Sequence, residues 1–186
     1  MNASDLVRRL QRHRMWVNRG LLEAARALDE EQLRRPLAIG QGSAWKTLTH
    51  LMAAEYVWLE ALLGREQAVM PGDAPGKIPG NQEGEAPIAT LDELAARWGE
   101  LDRRWESYLA DLTDPALDEL VFRSSTRAGQ VRRMGLRRSD VLLHVCTHAQ
   151  YTTAQLVNML RQLGVATFPG VMLAAMALQE QEAVAP

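Results

Sequence analysis

The sequence predicts an all-α protein, a four-helix bundle formed by one domain over residues 1–186. Four stretches repeat apolar residues at helical spacing, and their starts and ends carry capping and breaking residues. A Gly- and Pro-dense segment of about 25 residues separates the second stretch from the third, which is too long for an antiparallel helix hairpin but long enough to cross a bundle end to end.

The first segment runs from about Ser4 to Leu28, with Leu6, Leu10, Val17, Leu21 and Leu28 at steps of three, four or seven. The second follows the Gly40-Gln41-Gly42 break, takes Ser43 as its N-cap and runs to about Leu63 before Gly64. A loop from Gly64 to Ala89 follows. The third opens with a capping box from Thr90 to Glu93, carries the stripe Leu91, Leu94, Trp98, Leu101, Trp105 and Leu112, and stops at Asp114-Pro115. Weak alternation from Leu120 to Met134 around Arg127-Ala128-Gly129-Gln130 reads as a short β-hairpin. The fourth helix begins near Ser139-Asp140 and closes at Gly164, a C′ glycine. The core bundle thus spans about residues 4–164, and a short apolar helix follows within about 170–180. Its Met172, Leu173, Met176 and Leu178 are placed to seal the bundle or to meet a second copy, so a homodimer is the expectation.

Composition narrows the function classes. Apolar residues make up 47% and charged residues 24%, which is ordinary globular usage. The net charge of -2 recruits neither nucleic acid nor an anionic membrane. Arginines cluster at Arg8, Arg9, Arg12 and Arg14 and again at Arg132, Arg133, Arg137 and Arg138. These read as solvated faces, because the reading elements of a nucleic-acid binder are missing. The lone Cys146 excludes an internal disulfide and fits a reducing compartment. No apolar run reaches the roughly 18 residues of a membrane span, and no signal peptide is visible, so the expectation is cytoplasmic. Phosphate loops, nucleophile elbows and dinucleotide fingerprints are likewise missing.

The histidines are the informative residues. His144 and His148 lie four apart on the fourth helix and share a face, as two ligands of one metal ion do. A third donor must come from another helix, and His50, on a strip with Ala54, Val57 and Ala61, is the candidate. Residue 145 is Val rather than the Glu of the zinc-protease pattern. Cys146 points roughly 160° away from both imidazoles at 3.6 residues per turn. Glu55 interrupts an apolar face roughly 140° from His50; it reads as the partner of an arginine or of a histidine, since an unpaired buried carboxylate is costly. His13, Tyr151 and Gln155 complete the candidate pocket. Trp58, Trp98 and Trp105, at helical spacing, read as core.

The fourth helix, His144-Val-Cys-Thr-His148-Ala-Gln-Tyr-Thr152-Thr-Ala-Gln155 through Met-Leu-Arg-Gln-Leu-Gly164, resembles the last helix of the DinB-like (damage-inducible, YfiT-like) family. Trp45, His50 and Leu-Met-Ala-Ala-Glu55 resemble the stretch that supplies that family's first metal ligand, and Trp16-Val-Asn18 with Leu21-Leu22 matches more loosely. The resemblance covers about residues 4–164. Aligned on the Met-Leu-Arg-Gln-Leu-Gly ending, the family's helix-four ligands fall on His148 and Thr152, so Thr152 marks a vacated ligand position. Three outcomes stay open: a site moved one turn to His50, His144 and His148, a weak site on His50 and His148, or a metal-free bundle.

The resemblance implies a divalent metal, zinc or nickel foremost, and a low-molecular-weight thiol as co-substrate. The chemistry expected is that of a thiol-dependent transferase or isomerase, or a hydrolase-like reaction, on a small-molecule substrate, in a family named for damage inducibility and hence associated with stress response. The competing reading is a non-catalytic, metal-free helical module that binds a small molecule or a partner.

Overall fold

The computed structural model describes residues 2–127 and 130–183. In chain order it contains α1 (Ala3–Ala25), α2 (Glu30–Arg34), α3 (Ala44–Leu62), α4 (Leu91–Ala110), a 3-10 turn (Pro115–Asp118), β1 (Leu120–Arg127), β2 (Gln130–Arg137), α5 (Arg138–Gln162) and α6 (Leu173–Glu182). The four long helices close a ring in which α1 packs on α4 and α5, and α3 packs on the same two.

Capping decides most boundaries. Asn2 and Asp5 cap α1 reciprocally, with Asp5 N–H on Asn2 Oδ1 at 2.9 Å and Asn2 N–H on Asp5 Oδ2 at 3.2 Å. Ser43 accepts the Lys46 N–H at 3.1 Å, as its position before the second apolar run predicts. Two boundaries differ from the sequence reading. The first helix ends at Ala25, three residues before Leu28, because Asp29 and Gln32 form their own capping box and start the separate one-turn α2. The box expected at Thr90 is only half made: Thr90 accepts the Glu93 N–H at 3.2 Å, but Glu93 turns its carboxylate to the Ala89 N–H at 2.9 Å and to Arg97 at 2.5 Å. The hairpin is present, β1 and β2 pairing antiparallel from Leu120↔Arg137 to Arg127↔Gln130; residues 128 and 129, on which its turn was read, lie outside the described residues.

Contacts along the helices give their directions. Arg26 near the end of α1 pairs with Asp92 at the start of α4 (2.5 Å), and Arg8 donates to the Leu109 carbonyl (2.9 Å), so these two run antiparallel. Arg104 reaches Glu60 and Arg34 reaches the Ala89 carbonyl, so α4 runs parallel to α3. A parallel neighbour demands a crossover, which the segment between Leu63 and Thr90 supplies by returning along α3: Thr49 Oγ1 donates to the Gly80 carbonyl at 2.9 Å. With α5 parallel to α1, through Gln11 and Leu142, the order is up-down-down-up.

Leu21, Leu48, Leu51, Leu59, Leu94, Leu142, Leu156, Trp98 and Trp105 are fully buried between the helices. Each such side chain contributes roughly 1.5–3 kcal/mol by leaving water. A polar network runs through the middle of this core. Arg14 forms an ion pair with Glu55, whose carboxylate also accepts from Asn18 Nδ2 at 2.7 Å and Trp98 Nε1 at 3.0 Å. Arg14 Nε donates to Gln11 Oε1 at 2.8 Å, and Gln11 Nε2 donates to the Leu142 carbonyl at 2.8 Å. Beside it, Asp102 is buried and its Oδ1 has no partner among the described residues. Burial, reinforced by the Glu55 charge, pushes its carboxyl up to about 6 against the pull of Arg14 and Arg19.

A folded-state pKa above the unfolded value means that Asp102 favours the fold while protonated and loses that contribution as pH rises through about 6. Asp102→Asn carries no such charge. Thermal melts of the variant and the parent are therefore expected to show a Tm difference that moves in favour of Asn between pH 5 and pH 8; a pH-independent difference contradicts this electrostatic account.

Candidate metal centre

His50 sits on α3 and His148 on α5, and the packing of these helices brings the rings together edge to face with centroids 5.2 Å apart. His144, one turn earlier on α5, lies 6.0 Å from His148, and its ring packs edge to face on Trp58 of α3 at 5.3 Å. The three imidazoles therefore line one seam between α3 and α5. His50 and His148 are half-buried and His144 is exposed.

Each ring is held differently. His50 Nδ1 lies 2.8 Å from the Pro79 carbonyl, which only accepts, so Nδ1 donates to it and Nε2 is the nitrogen turned away from the crossover. This contact comes from the crossover segment, which passes so close that a Cβ on Gly80 would meet the His50 N and Cα at 2.4 Å. Gly80 also has φ +84°, so glycine is required there twice over. Asp73 fixes this stretch by accepting the Gly80 N–H at 2.6 Å and the Gln82 N–H at 2.9 Å. Burial, followed by the charges of His50 and His144, pushes His148 down to about 4. Burial and then Arg123 lower His144 as well. Both are neutral at pH 7, the form that ligates metal.

The set offers imidazole nitrogens, one ring oriented by a backbone carbonyl, which are donor types that suit a divalent transition metal. Among the described residues no three His, Cys, Asp or Glu side chains are arranged as a closed ligand group, because His144 packs on Trp58 rather than turning toward His50. His50 and His148 are the pair whose rings meet across the two helices, and His144 is the adjacent third imidazole.

The other candidates fall in different places. Thr152 is buried one turn beyond His148, Gln155 is half-buried with Oε1 3.1 Å from where a Cβ on Gly40 would stand, and Tyr151 is exposed. Glu55 lies in the central network on Arg14, away from the histidine seam. His13 faces the other side of the bundle, its Nε2 3.1 Å from the Val171 carbonyl. Cys146 flanks the core pair, and burial pushes its thiol up to about 11, so it is no nucleophile at neutral pH. Two features escaped sequence reasoning: the Pro79-Gly80 clasp, whose only signal was a Pro-Gly dipeptide in the long loop, and Arg123 of β1, whose orientation depends on hairpin register. Trp58, grouped with the core tryptophans by spacing, is half-buried at the seam while Trp98 and Trp105 are fully buried.

Two outcomes follow from this geometry. Gly80→Ala should lower stability by about 2 kcal/mol in denaturant unfolding, because both φ and the His50 backbone oppose a Cβ; an unchanged midpoint contradicts the clasp. In chelator-treated protein His148 is depressed, so its stabilising contribution is present above the unfolded value near 6.5 and lost as pH falls toward 4. The Tm advantage of the parent over His148→Ala should therefore shrink from pH 7.5 to pH 4.5, and a constant difference would show that the ring is not desolvated.

Comparison with known proteins agrees with this architecture. The DinB family model matches residues 1–183. The crystal structure of a DinB-like protein, YjoA, from Bacillus subtilis superposes with a TM-score of 0.60 at 13% identity, covering 88% of this chain and 97% of that one, a likeness of fold. No curated protein matches the chain. No helix among the described residues is long and apolar enough to cross a membrane. With the family model spanning nearly the whole sequence and the helices arranged as in a solved relative, the chain belongs to the DinB family.

Proposed function

We propose that this DinB-family protein holds a divalent transition-metal ion, zinc or nickel, on His50, His144 and His148, and uses it in a thiol-dependent transfer or isomerisation on a small molecule. The observation that carries this reading is the gathering of three imidazoles on one seam, with centroids 5.2 and 6.0 Å apart along the row. When bound, the ion supplies a Lewis acid that keeps a thiol ionised near neutral pH.

The chain's own groups support this reading in distinct ways. The Pro79 carbonyl orients His50 so that Nε2 faces away from the clasp. Burial keeps His148 unprotonated, so proton competition for its lone pair is weak at pH 7. Exposed His144 has room to reorient. The lone cysteine lies on another face with a raised pKa, which supports a thiol drawn from solution as co-substrate. Exposed Met172 and Leu178 on the C-terminal segment support a homodimer.

One observation favours a second reading, a metal-free module that binds a small molecule or partner: His144 packs on Trp58 instead of converging with the other two rings. Elemental analysis of untagged protein separates the two. About one equivalent of metal per chain is expected, lost in both His50→Ala and His148→Ala while far-UV circular dichroism stays unchanged, because the leucine and tryptophan core does not involve the seam. A parent protein that takes up neither zinc nor nickel from excess ion sinks the metal reading and leaves the module.

A further inference from the structure

A cleft of about 610 Å³ lies between the hairpin and the crossover segment, next to the histidine seam. Its walls are mixed, with apolar Val57, Met70 and Ile78 among them, and three charged side chains line it: Asp73, Lys77 and Arg123. Asp73 is spent on the crossover backbone and on Gln82 Nε2 at 2.7 Å. Lys77 is spent on Glu83. Arg123 differs: no ion pair to a carboxylate is found for it among the described residues, and burial alone acts on its pKa, lowering it. Its guanidinium lies 5.0 Å from the centre of the Trp58 ring, whose edge-to-face partner is His144.

A half-buried guanidinium that gives up water without gaining a counter-ion is costly, and arginine does not relieve the cost by losing its proton. Stacking on Trp58 offsets only part of it. What the position lacks is an anion. With Lys77 paired to Glu83 and Asp73 held by crossover donors, Arg123 is the cationic fork left open among the described lining residues. A carboxylate matches that fork with two parallel hydrogen bonds, whereas a phosphate dianion would call for a second open cation. Ser124 and Ser125, on the same strand and lining the same cleft, add hydroxyl donors.

We infer that Arg123 binds the carboxylate of a small, partly apolar monocarboxylic acid, whose body lies in the cleft between hairpin and crossover, one aromatic ring away from His144. Taking that acid as the substrate rests on the metal-site reading; the carboxylate contact itself does not. Arg123 is then a specificity-determining residue, holding the inert end of the molecule while the other end is left near the seam.

Isothermal titration of the full chain with hexanoate and with hexanamide tests this, in zinc-loaded and chelator-treated protein. Hexanoate is expected to bind at least about 10-fold tighter than its amide, the scale of a charge-assisted pair. Arg123→Gln should bring that ratio to about one with unchanged circular dichroism, and Arg123→Lys should retain part of it, as a point charge without the fork. Acid and amide binding equally in the parent, neither binding saturably, an Arg123→Gln ratio equal to the parent's, or inorganic phosphate binding as tightly as hexanoate would each overturn the assignment. His148→Ala keeps the two ideas apart. A preserved acid-to-amide ratio in a protein that binds no metal defeats the metal reading alone, and a ratio of one in a protein that loses its metal on this substitution defeats the carboxylate site alone.

Discussion

The Arg14–Glu55 ion pair is the constraint around which the bundle is arranged. Both side chains are almost wholly buried, and a buried charge deprived of its partner costs about 3–5 kcal/mol. The pair is therefore satisfied only when several helices meet it at once: Asn18 from α1, Trp98 from α4, and Gln11 relaying to a backbone carbonyl of α5. Apolar burial by itself is non-directional and leaves a helix some freedom to roll about its axis. A charged centre with directional partners does not, so it selects one axial rotation for each helix.

That rotation is what places the histidines. With Glu55 turned to the centre, residues roughly 140° round α3 come to its flank, and His50 emerges at the contact with α5. Gln11 bound at Leu142 sets α5 in the same way, so that His144 and His148 look toward α3 while Cys146 stays on the core-pair side. The crossover then seals the arrangement from outside through Pro79 and Gly80. The seam is electrically quiet, since desolvation above all lowers the pKa of His144 and His148, and it stands beside a cleft whose open charge is positive.

Much of this was legible in the sequence because it is local. Leu, Trp and Ala at helical spacing define the four long helices, Ser43 and Gly164 punctuate them, and an i, i+4 pair with a third His on another apolar strip names the seam. The features that were not legible depend on partners distant in the chain. α2 is one turn long, shorter than any periodic signal, and only its Asp29–Gln32 box betrays it. Glu55 reads as an arginine partner ahead of a histidine partner, but which arginine it meets is fixed only when the side chains of α1 and α3 meet across the core. The path of the crossover is decided by Asp73 and Gly80 meeting backbone, which composition does not encode. Arg123 alternates in or out with a one-residue change of hairpin register, so no pattern in β1 singles it out. The expectation that residue 152 marks a vacated ligand position concerns a side chain that is now seen buried one turn beyond His148.

The crossover clasp has a consequence for how damage to the protein would propagate. The hydrophobic core is built by the helices, while the alignment of His50 is borrowed from a Gly- and Pro-rich strap that presents an exposed Lys77 beside the clasp. Cutting the backbone there would leave the four helices nearly as cohesive as before, yet it would free Pro79 and Gly80 to peel away from α3. Integrity of the scaffold and competence of the seam are thus separate properties of this molecule, joined by a few backbone contacts, and a nicked chain would keep its helical signature after the orientation of its first histidine is gone.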